Sequence, residues 1–185
     1  GGDGGSGATE IRKGAKGGWG GGDGVRRTHP LFGLITLQVL QECANRRLFS
    51  VVREERRLTY DASFNFKGLD SVLGGWYQVY VTSSPQQVDE ALDACREALA
   101  SLAGPFGIMG DTVQSAKRTL SNRFRGEALS NRFWVEHLSG TQLECCPLKN
   151  VGSIFDYDAV LKEVTVQDVQ LLLKALAVAP ENMIS

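Results

Sequence analysis

Histidine is scarce in this 185-residue sequence, which has only His29 and His137. Neither lies in an HExxH or HxxEH motif, the spacings that bring two imidazoles onto one helical face around a metal ion. The GxSxG motif and any local cysteine–histidine signature of a nucleophilic enzyme are also absent. We therefore expect no catalytic residue and no metal site in this chain, and we interpret both histidines as structural.

Net charge is equally low, because 20 basic and 21 acidic side chains leave −1 at pH 7. Such a balance gives no broad field that would attract nucleic acid or an anionic membrane surface. The apolar runs are all shorter than the roughly 18–20 residues that a membrane span requires. Nucleic acid and membranes are therefore not expected as partners.

The four cysteines do not predict disulfides or a zinc knuckle. Cys43 and Cys95 fall on the apolar stripes of predicted helices, where a free thiol behaves as a small hydrophobic side chain. Cys145 and Cys146 are adjacent, but they have no second CxxC and no nearby histidine pair. This cysteine usage indicates a reducing compartment.

Glycine, by contrast, dominates residues 1–27. A segment of this composition cannot bury enough apolar surface to offset the entropy of ordering it, so we predict that it is flexible. Its GGWGGGDG stretch lacks the Lys-Ser/Thr of a phosphate-binding loop. The chain starts without methionine and stops where a new apolar run begins, which we interpret as a piece of a longer protein.

Residues 28–185 show helical and strand patterns. Apolar residues recur at three- and four-residue steps over residues 37–51, which predicts an amphipathic helix that starts near Thr28. Apolar and polar residues then alternate strictly over residues 60–67, as in a strand with one buried face. The run over residues 76–81 is rich in strand-forming residues and predicts a second strand.

Further helices follow these strands. A capping box at Ser84–Gln87 opens one helix, and Asp111 is predicted to cap the next, which bends near Gly126. A second capping box, at Thr165–Asp168, opens the last helix. Strands grouped between helices predict an α+β fold, in which a largely antiparallel sheet packs against helices.

A basic cluster lies where the first helix meets the first strand. Five arginines between Arg46 and Arg57 are interleaved with two glutamates, a pattern that suits a solvated helix end because cations complement the carbonyl dipole there. Arg53 and Tyr60, however, flank the helix-to-strand turn. Their guanidinium and phenol groups are hydrogen-bond donors suited to peptide carbonyls, so we name them as candidate binding residues.

This junction resembles the C-terminal half of the pitrilysin-type metallopeptidases. That family has a helix ending in Arg-Leu-Phe, then Leu-Arg-Glu, a short turn, and Leu-any-Tyr opening a strand. The corresponding residues here are Arg47-Leu48-Phe49, Val52-Arg53-Glu54 and Leu58-Thr59-Tyr60. Four more segments between residues 28 and 170 resemble the plastid members of the family, namely Thr28–Leu31, Gly75–Tyr77, Val88–Cys95 and Ala116–Leu120.

The resemblance implies that residues 28–185 form a partial, non-catalytic domain that lacks its opening strands and its final strand. It implies that Arg53 and Tyr60 bind the backbone of an extended precursor peptide. Zinc would be bound outside this chain, in the N-terminal catalytic half of the same zinc metalloendopeptidase, and this chain alone would be inactive. The plastid members further imply a location in the chloroplast stroma and the removal of transit peptides from imported precursors.

Two alternatives stay open beside this hypothesis: a zinc-less subunit or binding module that positions peptide or stabilises a catalytic partner, and a structural remnant without a ligand. Arg57 bears on the choice, because the family usually has glycine there. If that position takes a positive φ, an arginine is strained and shifts Tyr60. The glycine-rich segment is either a low-complexity insertion or a counterpart of the precursor-binding glycine-rich loop in mitochondrial processing peptidases.

Overall fold

The computed structural model describes residues 28–68, 75–104, 107–139 and 154–176. The predicted glycine-rich segment, Cys145 and Cys146 lie outside these residues. The helices are α1 (Phe32–Leu48), α2 (Val88–Leu102), α3 (Gly110–Glu127), α4 (Asn131–Leu138), α5 (Tyr157–Glu163) and α6 (Val166–Ala175), and the strands are β1 (Asp61–Gly68) and β2 (Gly75–Thr82). A π-helical segment, Phe49–Glu55, continues α1. The predicted α+β class is confirmed.

Helix α1 lies at the centre of the described core. One face of it is fully buried and lies against β1, α2, α3, α5 and α6. The members of this face include Ile35, Val39, Leu40, Cys43 and Leu48. The predicted amphipathic helix is therefore confirmed, although it begins at Phe32 because Thr28 to Leu31 form a preceding turn.

Strands β1 and β2 form an antiparallel hairpin whose register runs from Asp61 opposite Thr82 to Gly68 opposite Gly75. Phe64 is buried on the inner face, where its ring stacks on Tyr77 with centroids 5.5 Å apart. The free edge of β1 is closed by α1, because the Phe64 N–H donates to Asn45 Oδ1 at 2.6 Å. The predicted strand with one buried face is thus confirmed, but it begins at Asp61, and the prediction that Tyr60 belongs to its buried face is wrong because Tyr60 is exposed.

The helix starts agree only in part with the predicted caps. The Thr165 hydroxyl accepts from the Asp168 N–H at 3.3 Å and the Asp168 carboxylate accepts from the Thr165 N–H at 2.8 Å, so the predicted capping box of α6 is confirmed. The predicted box at Ser84 is wrong, because the Ser84 hydroxyl donates to the Gln87 side chain instead and α2 begins at Val88. Asp111 lies inside the first turn of α3 and does not cap it.

Both histidines have structural partners. His29 precedes α1, and its Nδ1 accepts from the Leu31 N–H at 3.2 Å while its Nε2 lies 3.5 Å from a carboxylate oxygen of Asp156. On α4, His137 stacks on Phe133 with ring centroids 3.8 Å apart. These contacts are those of histidines that help to hold the fold, and the structural interpretation stays a prediction.

Candidate functional site

Helix α1 continues into a wider, π-helical segment that contains Arg53 of the candidate site. The Arg56 N–H donates to the Val51 carbonyl, five residues back, at 3.1 Å, and the Leu58 N–H donates to the Val52 carbonyl, six residues back, also at 3.1 Å. Such π-helical turns are rare and occur frequently at functional sites. Because Val51 and Val52 are buried, the widened turn is held against the core.

Arg57 ends this widened turn in a left-handed backbone conformation, with φ of 55°. Helices commonly end on such a residue, which is usually glycine because a Cβ atom is disfavoured there. Arg57 is the single non-glycine residue with positive φ in the described ranges. The condition under which an arginine is strained at this position, a positive φ, is therefore met, and the strain of an L-residue there is about 1–2 kcal/mol.

The two residues after Arg57 are held in place by burial and by hydrogen bonds. Leu58 is 5% exposed and Thr59 is 7% exposed. The Thr59 hydroxyl accepts from the Asp61 N–H at 3.0 Å and also contacts the Thr82 carbonyl oxygen. The Ser83 hydroxyl donates to the Leu58 carbonyl at 3.0 Å. The turn is thus bonded to the far end of β2 despite the strain at Arg57.

Tyr60 follows directly and is 91% exposed, the most exposed of the large hydrophobic side chains in the described residues. Its phenol makes no hydrogen bond within the part of the chain that the structure describes. An exposed aromatic side chain on an anchored backbone is not explained by packing. Tyr60 is therefore available to a ligand.

Arg53 is exposed on the preceding π-helical segment, and its guanidinium carbon lies 4.8 Å from the centroid of the Phe49 ring. Neighbouring arginines are occupied differently, because Arg47 donates to Ser101 Oγ at 2.8 Å and Arg56 pairs with Glu97. Among the described residues, Arg53 has no carboxylate partner. Its cation is therefore free to meet an external acceptor.

Arg46, the first arginine of the cluster, has a structural role. Its guanidinium donates to Ser115 Oγ and Thr119 Oγ1, each at 2.7 Å, and to Glu42 Oε1 at 3.2 Å. These bonds join α1 to α3 and leave the charge balanced by Glu42. The basic cluster therefore divides into residues that hold the fold and residues at the turn that face solvent.

Phe49 was not predicted as a site residue. The signal that could have found it is its spacing of four residues from Arg53, which places two side chains together on a helix. Phe49 is only partly packed against the protein, because it is 43% exposed.

Metal ligands are not grouped at this turn or elsewhere in the described residues, where no three histidine, cysteine, aspartate or glutamate side chains form a cluster able to hold a metal ion. The described helices also include none that is both long and apolar enough to cross a membrane. The site offers hydrogen-bond donors and a cation.

Part of the chain matches a known protein family. Residues 31–120 match the family described as the peptidase M16 inactive domain. These residues belong to the M16 peptidases. The predicted pitrilysin-type resemblance is thereby confirmed, and the matched range contains the whole turn with Arg53 and Tyr60.

The curated relatives are stromal processing peptidases of chloroplasts. The chain is 38% identical over 159 residues to the one from Pisum sativum and 35% identical over 159 residues to the one from Arabidopsis thaliana. Each alignment covers 86% of this chain, but the chain spans only 13% and 12% of the two relatives. The M16 domain described here therefore corresponds to a small part of those proteins.

Two solved structures share the fold. The periplasmic protease PqqL from Escherichia coli superposes with a TM-score of 0.63 at 17% identity, over 81% of this chain and 16% of that one. A conserved protein from Enterococcus faecalis superposes with a TM-score of 0.63 at 20% identity, over 79% of this chain and 33% of that one. These two similarities show a shared fold and nothing about function.

Proposed function

We propose that this M16 domain is the substrate-holding, non-catalytic part of a peptidase, and that Arg53 and Tyr60 bind the backbone of an extended peptide. The observation that carries the proposal is the exposure of both donors on one anchored turn. Tyr60 is 91% exposed although the two residues before it are buried. This exposure supports the proposal because it leaves the phenol accessible to a peptide.

The two donors are chemically suited to peptide carbonyls. A guanidinium presents five N–H groups and stays charged at all physiological pH values, and a phenol presents one O–H. Hydrogen bonds to a cationic donor are about twice as strong as neutral ones. Arg53 therefore supplies most of the binding energy in this proposal, and Tyr60 adds direction.

Zinc, which M16 peptidases use for hydrolysis, does not fit the described residues of this chain, because they contain no cluster of ligands. We assign the zinc and the hydrolytic step to the N-terminal catalytic half of the parent protein. The role of this domain is then to orient the peptide, which lowers the entropic part of the barrier.

The names of the curated relatives support a more specific proposal. Relatives that are 35–38% identical over 86% of the chain are chloroplastic stromal processing peptidases. We propose that the parent protein acts in the chloroplast stroma and that its peptides are transit peptides of imported precursors. The domain boundaries 1–27 and 28–185 remain predictions.

The test uses the full-length protein that contains this chain, with a fluorogenic peptide that spans a transit-peptide cleavage site. Arg53→Ala is expected to lower kcat/KM by about 10- to 100-fold, because a hydrogen bond to a charged group contributes about 1.5–3 kcal/mol. Tyr60→Phe is expected to lower it by about 2- to 10-fold, since a neutral hydrogen bond contributes about 0.5–1.5 kcal/mol. Zinc content is expected to stay unchanged in both variants.

Matched controls are available in the same domain. Arg132 is exposed on α4, where it pairs with Glu136 at 2.7 Å, and the Tyr80 phenol donates to Gln78 at 2.6 Å on the outer face of β2. Arg132→Ala and Tyr80→Phe should leave kcat/KM within twofold of the parent. Equal losses in the site and control variants would remove the proposed role of Arg53 and Tyr60. Peptide binding by a full-length protein that has no zinc would favour the zinc-less subunit.

A further inference from the structure

Phe49 supports the guanidinium of Arg53. The distance from the guanidinium carbon to the ring centroid is 4.8 Å, within the range at which a cation is attracted to the face of an aromatic ring. The ring is 43% exposed, whereas the preceding Leu48 is fully buried. Packing of the core therefore leaves much of the Phe49 ring uncovered, and Arg53 lies on it.

Within the π-helical segment, Arg53 rests on a ring and not on a carboxylate. In this segment the Ser50 hydroxyl donates to Glu55 Oε1 at 3.2 Å, a contact between residues five apart. Arg56, three residues after Arg53, pairs with Glu97 of α2. Two nearby carboxylates are thus already hydrogen-bonded to other groups. The widened turn leaves the exposed side chain of Arg53 over Phe49.

We propose that Phe49 is a positioning residue, whose ring holds the Arg53 guanidinium in the orientation in which it meets the peptide. This inference rests on the proposed function of Arg53. A free arginine samples many rotamers and loses that freedom when it binds. A ring that restricts the side chain beforehand reduces the loss, and the gain appears as tighter binding without any contact between Phe49 and the peptide.

The test is a double-mutant cycle in the full-length protein with the same fluorogenic peptide. Phe49→Leu keeps an apolar side chain but removes the aromatic face, and it is expected to lower kcat/KM by about two- to fivefold. Phe49→Tyr keeps the face and should restore kcat/KM to within twofold of the parent. In the Arg53→Ala background, Phe49→Leu should have no further effect, because the cation on which the ring acts is gone.

The outcomes separate this inference from the proposed function. A large loss with Arg53→Ala and no loss with Phe49→Leu would overturn the positioning role alone. An equal loss with Phe49→Leu in both backgrounds would also overturn it, since Phe49 would then act independently of Arg53. If Arg53→Ala itself leaves kcat/KM unchanged, the proposed function fails and the inference fails with it. Urea unfolding midpoints of the variants should match that of the parent, because half of the ring is already exposed.

Discussion

Replacing Arg57 by glycine is expected to stabilise the domain. Arg57 has φ of 55° and is exposed, and its side chain has no hydrogen bond or ion pair among the described residues. The left-handed conformation costs an L-residue about 1–2 kcal/mol, and glycine removes that cost. Glycine also loses more backbone entropy on folding, by about 0.5–1 kcal/mol. The difference is a net stabilisation of about 0.5–1 kcal/mol, since the two effects oppose each other.

The measurement is urea unfolding of the chain followed by tryptophan fluorescence, compared with a thermal melt. For a protein of this size the expected gain corresponds to a rise in Tm of about 1–4 °C. Arg57→Ala is the matched control, because it removes the same charge and stem but keeps the Cβ atom. Its free energy of unfolding should lie within about 0.5 kcal/mol of the parent value, as for other exposed substitutions.

The comparison of the two variants decides the result. If Arg57→Gly and Arg57→Ala lower the free energy of unfolding by the same amount, loss of the Arg57 side chain accounts for the change. Relief of backbone strain then contributes nothing measurable, and the reasoning is refuted. The same pair tests whether strain at Arg57 disturbs Tyr60. Leu58 and Thr59 are buried and hydrogen-bonded with Arg57 in place, so Arg57→Gly should leave kcat/KM of the full-length protein within twofold of the parent.

Two further predictions concern titratable groups. Burial raises the pKa of Asp158, but hydrogen bonds from Ser121 and Arg125 outweigh that effect and hold the pKa below its ordinary value of 3.8. Asp158→Asn should therefore cost about 1 kcal/mol at pH 7, and urea unfolding should show that gap closing as the pH falls below about 4. Burial raises the pKa of Cys43 and of Cys95 to about 11. Mass spectrometry should accordingly find iodoacetamide labelling of both thiols at pH 8 only after unfolding, and rapid labelling of the native protein would contradict their burial.

Sequence patterns predicted the fold correctly where the spacing of apolar residues matches the spacing of the buried positions. The alternation over residues 60–67 predicted β1 because one face of that strand covers the core, and Phe64 at its centre is buried. The reciprocal cap at Thr165 and Asp168 formed because both groups lie in one local turn. The Ser84 box did not form because α2 begins at Val88, with Gln87 and not Ser84 at the N-cap position.

The geometry of the site was harder to predict from the sequence. Apolar spacing continues through residues 37–51 as one helix, and no residue there distinguishes bonds to the fifth preceding carbonyl from bonds to the fourth. The π-helical turn arises from tertiary fit, since Val51 and Val52 are both buried while Arg53 stays exposed. Arg53 and Tyr60 were named as candidates from their places at the turn and from the resemblance. The four-residue spacing of Phe49 and Arg53 is visible in the sequence, but the contact between ring and guanidinium is seen only in the structure.

The two donors of the proposed site are prepared for a ligand in different ways. Tyr60 is fixed through its backbone, because buried Leu58 and Thr59 precede it and the Thr59 hydroxyl bonds the next strand. Arg53 is fixed through its side chain, because the Phe49 ring lies under the guanidinium. A bound peptide therefore has less freedom to remove from either group, which reduces the entropic cost of binding. The strain at Arg57, which lies between the two donors, does not displace the turn, because hydrogen bonds before and after Arg57 hold the turn in place.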